Sequence, residues 1–353
     1  MGLAPRIENI ENGTTGPLSF RNKIINGAMN VNQRNTTVTA TGYTLDRWKY
    51  DSNVSSRVSI ASATSNLTGF SSALQITSSG ANTPASSDYQ FLSQYIEGQN
   101  VADLAWGTSS AKTITISFWV KSSISGLFGG NLRNGGNTRN YPFTFTINSS
   151  NTWEKKSIVI SGDTSGTWAT DTSTGLMLSF NIGNGSNFLG TAGAWTSSNI
   201  AGPSGVVNIA ATNGATFYIT GVQLEAGSTA TAFEQRPYGM ELSLCQRYYF
   251  STLYGATAGI VGSFGAVASG NNSIGGIRFP VPMRAIPTTS SISVALGATP
   301  NTFRVTSTGA TASFTPNGLG NAGFGGFSYM STATTPLTPG TFYDFDFTNS
   351  AEL

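Results

Sequence analysis

Apolar and polar side chains alternate most strictly between Thr113 and Lys121. Ile114, Ile116, Phe118 and Val120 fall on one face; Thr113, Thr115, Ser117 and Lys121 fall on the other, with Trp119 among them. That period of two predicts a half-buried β-strand. Similar patterns predict strands over residues 43–50, 56–60, 143–147, 156–160, 176–182 and 216–224. The glycine-rich stretches 126–136 and 183–205 read as loops between them. No amphipathic helical pattern interrupts the series, so parallel βαβ units are not expected. Many short strands joined by turn-rich loops predict a β-sandwich of the jelly-roll kind.

The pattern changes after Tyr238. Glu241, Leu242, Leu244, Cys245, Tyr248 and Tyr249 follow helical spacing and predict one short helix. Beyond it, residues 260–267, 274–281, 291–296, 303–306 and 341–347 read as strands again. Pro280, Pro282 and Pro287 bracket one of them, which places it at an edge or a strand end. Residues 1–22 hold no period and are broken by Gly13, Gly16 and Pro17. The expected organisation is therefore all-β. It comprises an N-terminal arm over 1–22, a jelly-roll β-sandwich over 23–237, a short helical junction over 238–250 and a second, smaller β domain over 251–353.

Composition narrows the chemistry. The chain has 353 residues, 39% of them hydrophobic, with no histidine, a single cysteine and only 10% charged residues. Histidine acid–base catalysis, histidine-ligated metals and a disulfide framework are excluded, and no cofactor or metal is expected. A formal net charge of +2, with Lys and Arg scattered, gives no basic stripe for nucleic acid. No apolar run of the length of a membrane span is present, so no insertion is expected, and Met1–Ile10 lacks the pattern of a secretory signal.

Several segments taken in order resemble bacteriophage tail-fibre and tail-associated virion proteins. They are NKIINGAMNVNQRN at 22–35, GYTLDRW at 42–48, YIEGQNVADLAWG at 95–107, ITISFWVKSS at 114–123 and NTWEKKSIVISGDTSGTW at 151–168. FYITGVQLEAG at 217–227, FEQRPYGMELSLCQRYY at 233–249 and FPVPMRAIP at 279–287 complete the set. FYITGVQLE is also similar to the last core strand of jelly-roll carbohydrate-binding modules. Such modules often carry an aspartate pair after the aromatic strand start, where this chain has Thr220 and Gly221. The resemblance implies a homotrimeric fibre subunit on the virion surface. Its N-terminal part would dock onto other tail proteins, and its distal β domains would meet a host cell-surface glycan.

Four groups of residues are candidates for that work. Sugars present apolar C–H faces to aromatic rings, which singles out Trp119 on its strand and Tyr141 and Trp195 in or beside glycine-rich loops. The alternative is that these rings anchor a core or a subunit interface. Asp344 and Asp346 share one side of a strand at a spacing of about 7 Å, which suits a glycan-cleaving pair as well as a polar strand face. A non-enzymatic reading is preferred, with a depolymerase and a purely structural virion part as alternatives. Leu244, Cys245, Tyr248 and Tyr249 are candidates for an oligomer interface, with docking on the chain's own β domains as the other reading. Ile7, Ile10 and Phe20 are the apolar anchors of the arm for docking on the virion.

Overall fold

The structure, a computed structural model, describes residues 20–251, 279–286 and 350–353 with their side chains. Between these it describes the backbone of strands, so Ile7 and Ile10 of the expected arm lie outside the described residues. The chain forms two compact units: unit 1 is Met1–Asn30, Thr36–Arg236 and Leu353, and unit 2 is Val31–Asn35 and Pro237–Glu352.

Unit 1 is a β-sandwich. Its strands are β1 (Gly42–Tyr43), β2 (Lys49–Ser52), β3 (Val58–Leu67), β4 (Phe70–Ser78), β5 (Gln90–Glu97), β6 (Ile114–Ser122), β7 (Gly126–Arg133), β8 (Asn140–Ile147), β9 (Glu154–Ile160), β10 (Thr174–Asn181), β11 (Leu189–Gly190), β12 (Gly202–Pro203) and β13 (Thr216–Ala226). One sheet runs β3-β4-β13-β6-β9 and the other β1-β2-β5-β10-β7-β8; the short pair β11-β12 stands apart. The alternating face of β6 supplies the core, because Ile114, Ile116, Phe118 and Val120 are fully buried. Phe118 crosses between the layers, with ring centroids 5.0 Å from Phe145 and 5.1 Å from Phe180 of the facing sheet. Burying each such ring stabilises the fold by about 1.5–3 kcal/mol.

Three local readings need correction. The expected strand over 43–50 is two strands, β1 and β2, separated by a tight turn in which Arg47 adopts a φ of 70° and the Trp48 N–H bonds Leu45. Strands β4 and β5 were not expected. The supposed loop 126–136 begins with a true strand, β7, paired with β8 over its whole length. Its glycines answer to close approach. A Cβ at Gly129 would stand 2.2 Å from Pro203 Cγ, and one at Gly130 would stand 2.2 Å from the Ser179 carbonyl oxygen.

The two ends of the sandwich are latched together. The Asn22 side chain donates to the Val222 carbonyl at 3.1 Å and accepts from the N–H of Ile24 and of Leu224 at 3.0 Å each. Glu234 accepts from the backbone N–H of Phe20 and of Asn22, and Arg236 donates to the carbonyls of Asn22 and Ile24. Phe20 and Asn22, assigned by sequence to the arm, are thus seated on the sandwich.

Unit 2 begins with helix α1 (Tyr238–Gln246). Cys245 and Tyr248 are fully buried in the single chain, which leaves them no exposed surface for the oligomer interface expected of them. Tyr249 lies under the Arg34 guanidinium at 3.6 Å, and Leu244 is half-buried. The strands that follow are β14 (Tyr249–Ser251), β15 (Val261–Ser263), β16 (Ala266–Ser269), β17 (Asn272–Arg278), β18 (Ile292–Leu296), β19 (Thr299–Pro300), β20 (Thr302–Val305), β21 (Thr311–Leu319), β22 (Gly326–Ala333) and β23 (Tyr343–Ser350). The ladder places Asp344 opposite Gly262 and Arg304, and Asp346 opposite Ala295; the side chains of both aspartates lie outside the described residues.

Candidate functional site

Tyr141 and Trp195 do come together, in company the sequence did not announce. Trp195 meets Trp106 and Trp168 edge to face at centroid distances of 5.3 and 5.5 Å, and Tyr141 at 5.1 Å. Trp106 and Trp168 close the triangle at 4.8 Å. Each indole N–H is spent on a backbone carbonyl: Trp106 on Lys112, Trp168 on Ser165 and Trp195 on Ser161. The surrounding loops are held by Arg139, whose guanidinium makes a bidentate bond to the buried Asp163 carboxylate at 2.6 and 2.7 Å. A cavity of about 200 Å³ opens beside Val101, Leu104, Trp106, Thr108, Trp168 and Ala169. With its rings packed on one another and its donors used, this corner acts first as a clamp on the loops.

Trp119 stands on the outer face of the five-stranded sheet, opposite Thr220 and Lys155, and is half-buried. On the same face Lys121 points its ammonium at the rings of Tyr218 and Trp153, at 4.3 and 5.1 Å. Tyr141, in the row of the core residues Leu132 and Leu178, and Trp195 pack against the core cluster instead, so Trp119 does not share their site.

The richest combination of aromatic and polar groups lies elsewhere, on the outer face of the six-stranded sheet. The ladder sets Tyr95, Met177 and Arg133 in one row across β5, β10 and β7. The next rows are Lys49, Ser93, Ser179 and Asn131, then Asp51, Phe91 and Asn181. Because side chains alternate, every one of these points to the same side. Asp51 is the polar centre. Its carboxylate accepts from Lys49 Nζ at 2.7 Å, from the Tyr95 hydroxyl at 3.0 Å and from the Ser93 hydroxyl. Beside it Tyr89 contacts Phe188 edge to face at 5.6 Å and Phe91 at 5.8 Å, with Tyr89 and Phe188 half-buried.

The electrostatics suit a donor surface. Burial, and then the Asp51 charge, push the Tyr95 phenol above its ordinary range. Burial disfavours the Lys49 ammonium, but its hydrogen bond and attraction to Asp51 outweigh that and raise its pKa. At neutral pH the phenol is therefore a neutral donor and the amine is charged. Among the described residues no cluster of three or more Cys, Asp or Glu is placed to hold a metal. Sequence reading missed this face because its members come from four strands far apart in the chain. The one local signal was polar side chains at alternate positions of β2.

No family model matches the chain. No curated protein matches it either. Among solved structures, it is similar to the enzymatically active domain of tailspike protein 4 of bacteriophage CBA120, at 12% identity over 59% of this chain and a TM-score of 0.32; the chain spans 22% of that structure. It is similar to a putative sugar binding protein from Bacteroides thetaiotaomicron at 15% identity, covering 58% of this chain and 100% of the other, with a TM-score of 0.36. A family 11 carbohydrate-binding module from Clostridium thermocellum, in complex with a mixed-linked tetrasaccharide, is similar at 11% identity, covering 55% and 99%, with a TM-score of 0.29.

Proposed function

We propose that this chain is a glycan-binding subunit of a phage tail appendage, and that it holds sugar on the outer face of the six-stranded sheet. One observation carries the reading. The half-buried rings of Tyr89 and Phe188, seated on the buried Phe91, supply ring surface for C–H faces, and the Lys49–Asp51–Tyr95 chain beside them supplies fixed donors and acceptors for hydroxyls. Rings flanked by a few placed polar groups are the usual make-up of a ligand site. Asp51 is the acidic side chain in these rows and is already held by three donors, which favours binding over hydrolysis. The ordered series of segments that resembles tail-fibre proteins supports the virion setting, docking through the N-terminal part, and a homotrimer. Repetition across copies would turn weak single sites into useful avidity.

The test is retention of the purified native oligomer by a panel of bacterial surface polysaccharides, with light scattering to count its copies. Tyr95→Ala and Phe188→Ala should each weaken retention about ten-fold, equivalent to about 1.4 kcal/mol per site. Their unfolding midpoints should show that the sandwich persists. Failure of the native protein to bind any member, or full binding by both variants, overturns the reading.

A further inference from the structure

The outer face of the six-stranded sheet carries a cation that no carboxylate reaches among the described residues. Arg21, Arg34, Arg57, Arg139 and Arg236 each reach a carboxylate. Arg133 does not, among the described residues. Its Nε donates to the Met177 sulfur at 3.3 Å, and its guanidinium lies 5.3 Å from the Phe91 ring centre. A thioether is a weak acceptor, and a guanidinium has five donors, so most of this fork is unspent. The side chain is half-buried, in the same row as Met177 and Tyr95.

Lys49 adds to the effect. Its ammonium bonds Asp51 and stands 5.2 Å from the Tyr95 ring centre, and both it and Arg133 act on the Tyr95 phenol. Two cations and one carboxylate leave this group of side chains with an excess of positive charge. A planar fork with free donors, backed by an aromatic ring, fits a planar or tetrahedral anion better than a neutral hydroxyl. We infer that Arg133 anchors an anionic substituent of the bound glycan, so that the ligands are acidic polysaccharides bearing carboxylate, phosphate or sulfate. This rests on the glycan reading of the same face.

Two arms test it. In the first, arginines of the native protein are modified with phenylglyoxal and mapped by mass spectrometry. Arg133 should react, and sodium glucuronate or inorganic phosphate should protect it at least five-fold while glucose does not. In the second, the polysaccharides that the protein retains are compared before and after carboxyl reduction or dephosphorylation, which separates the sources of charge. Removing the charge should weaken binding at least ten-fold for the native protein and less than two-fold for Arg133→Met. Arg133→Lys keeps the charge without the fork and should fall between. Absence of protection in the first arm overturns the inference whatever the glycan result. Equal retention of neutral and acidic forms overturns it while leaving glycan binding intact.

Discussion

Replacing Gly130 by alanine should cost the sandwich about 2–3 kcal/mol. The added Cβ would lie 2.2 Å from the Ser179 carbonyl oxygen and 2.5 Å from Phe143 Cζ. Both neighbours are buried, and Phe143 belongs to the core. A normal contact needs more than 3 Å, so strand β10 must retreat by about 1 Å or the ring must leave its rotamer. Overpacking of this kind costs about 1–3 kcal/mol, and a strained ladder bond beside it about 1 kcal/mol more. The lower chain entropy of alanine returns about 0.5–1 kcal/mol. The assay is urea unfolding followed by tryptophan fluorescence, which reports unit 1 selectively because all six tryptophans lie there. For an m-value of about 2–3 kcal/mol per molar, the midpoint should fall by about 1 M. Gly136→Ala is the control: its nearest neighbour atom lies 3.9 Å away, and the change should stay within about 0.5 kcal/mol. A Gly130→Ala midpoint equal to that of the native protein would refute the close-approach argument and return β7 to the class of flexible glycine loops.

Other expectations follow from the same structure. Cys245 is fully buried, so a thiol reagent such as DTNB should leave it unreacted in the native protein and titrate it in urea; rapid native labelling would contradict the packing of α1. Trp106→Leu removes two ring contacts and the bond to the Lys112 carbonyl, and should lower stability by about 3 kcal/mol in urea unfolding followed by circular dichroism. Burial disfavours the Glu154 carboxylate, but Lys156 and the N–H groups of Ser149 and Asn148 outweigh that and lower its pKa below 4.5. Its contribution is therefore present above that pH and lost as pH falls through the folded value. The acid limb of a stability profile should be shallower in Glu154→Gln, by about 1 kcal/mol or less.

The architecture was legible wherever a strand obeys the simple rule of one apolar face. β6 does, and its four aliphatic and aromatic positions are all buried. β5 hides from that rule because Gln90 and Gln94 are buried with its apolar residues. Gln90 accepts from the Tyr50 hydroxyl, and Gln94 bonds both the N–H and the carbonyl of Ile25. Those partners lie tens of residues away, so the polar letters read locally as exposure. The glycines of β7 misled for a related reason: the neighbours that require them, Ser179 and Pro203, are distant in sequence. The sheet-face site was illegible on the same grounds, since only the ladder puts Lys49, Tyr95 and Arg133 side by side. The segments that suggested the tail-fibre resemblance proved informative in another way. Asn22, Glu234 and Arg236 within them build the latch, so their chemistry is accounted for by folding.

That latch has a mechanical consequence. Residues 20–24 and 231–236 run together and are bonded to each other, so pulling on the chain at these two points loads a handful of polar contacts at one node. Of the sandwich strands, β13 shares that node directly, through the bonds of Asn22 and Lys23 to Val222 and Leu224. A domain tethered this way keeps its shape when the tether is dragged, and tension would be spent at the node before any sheet began to shear.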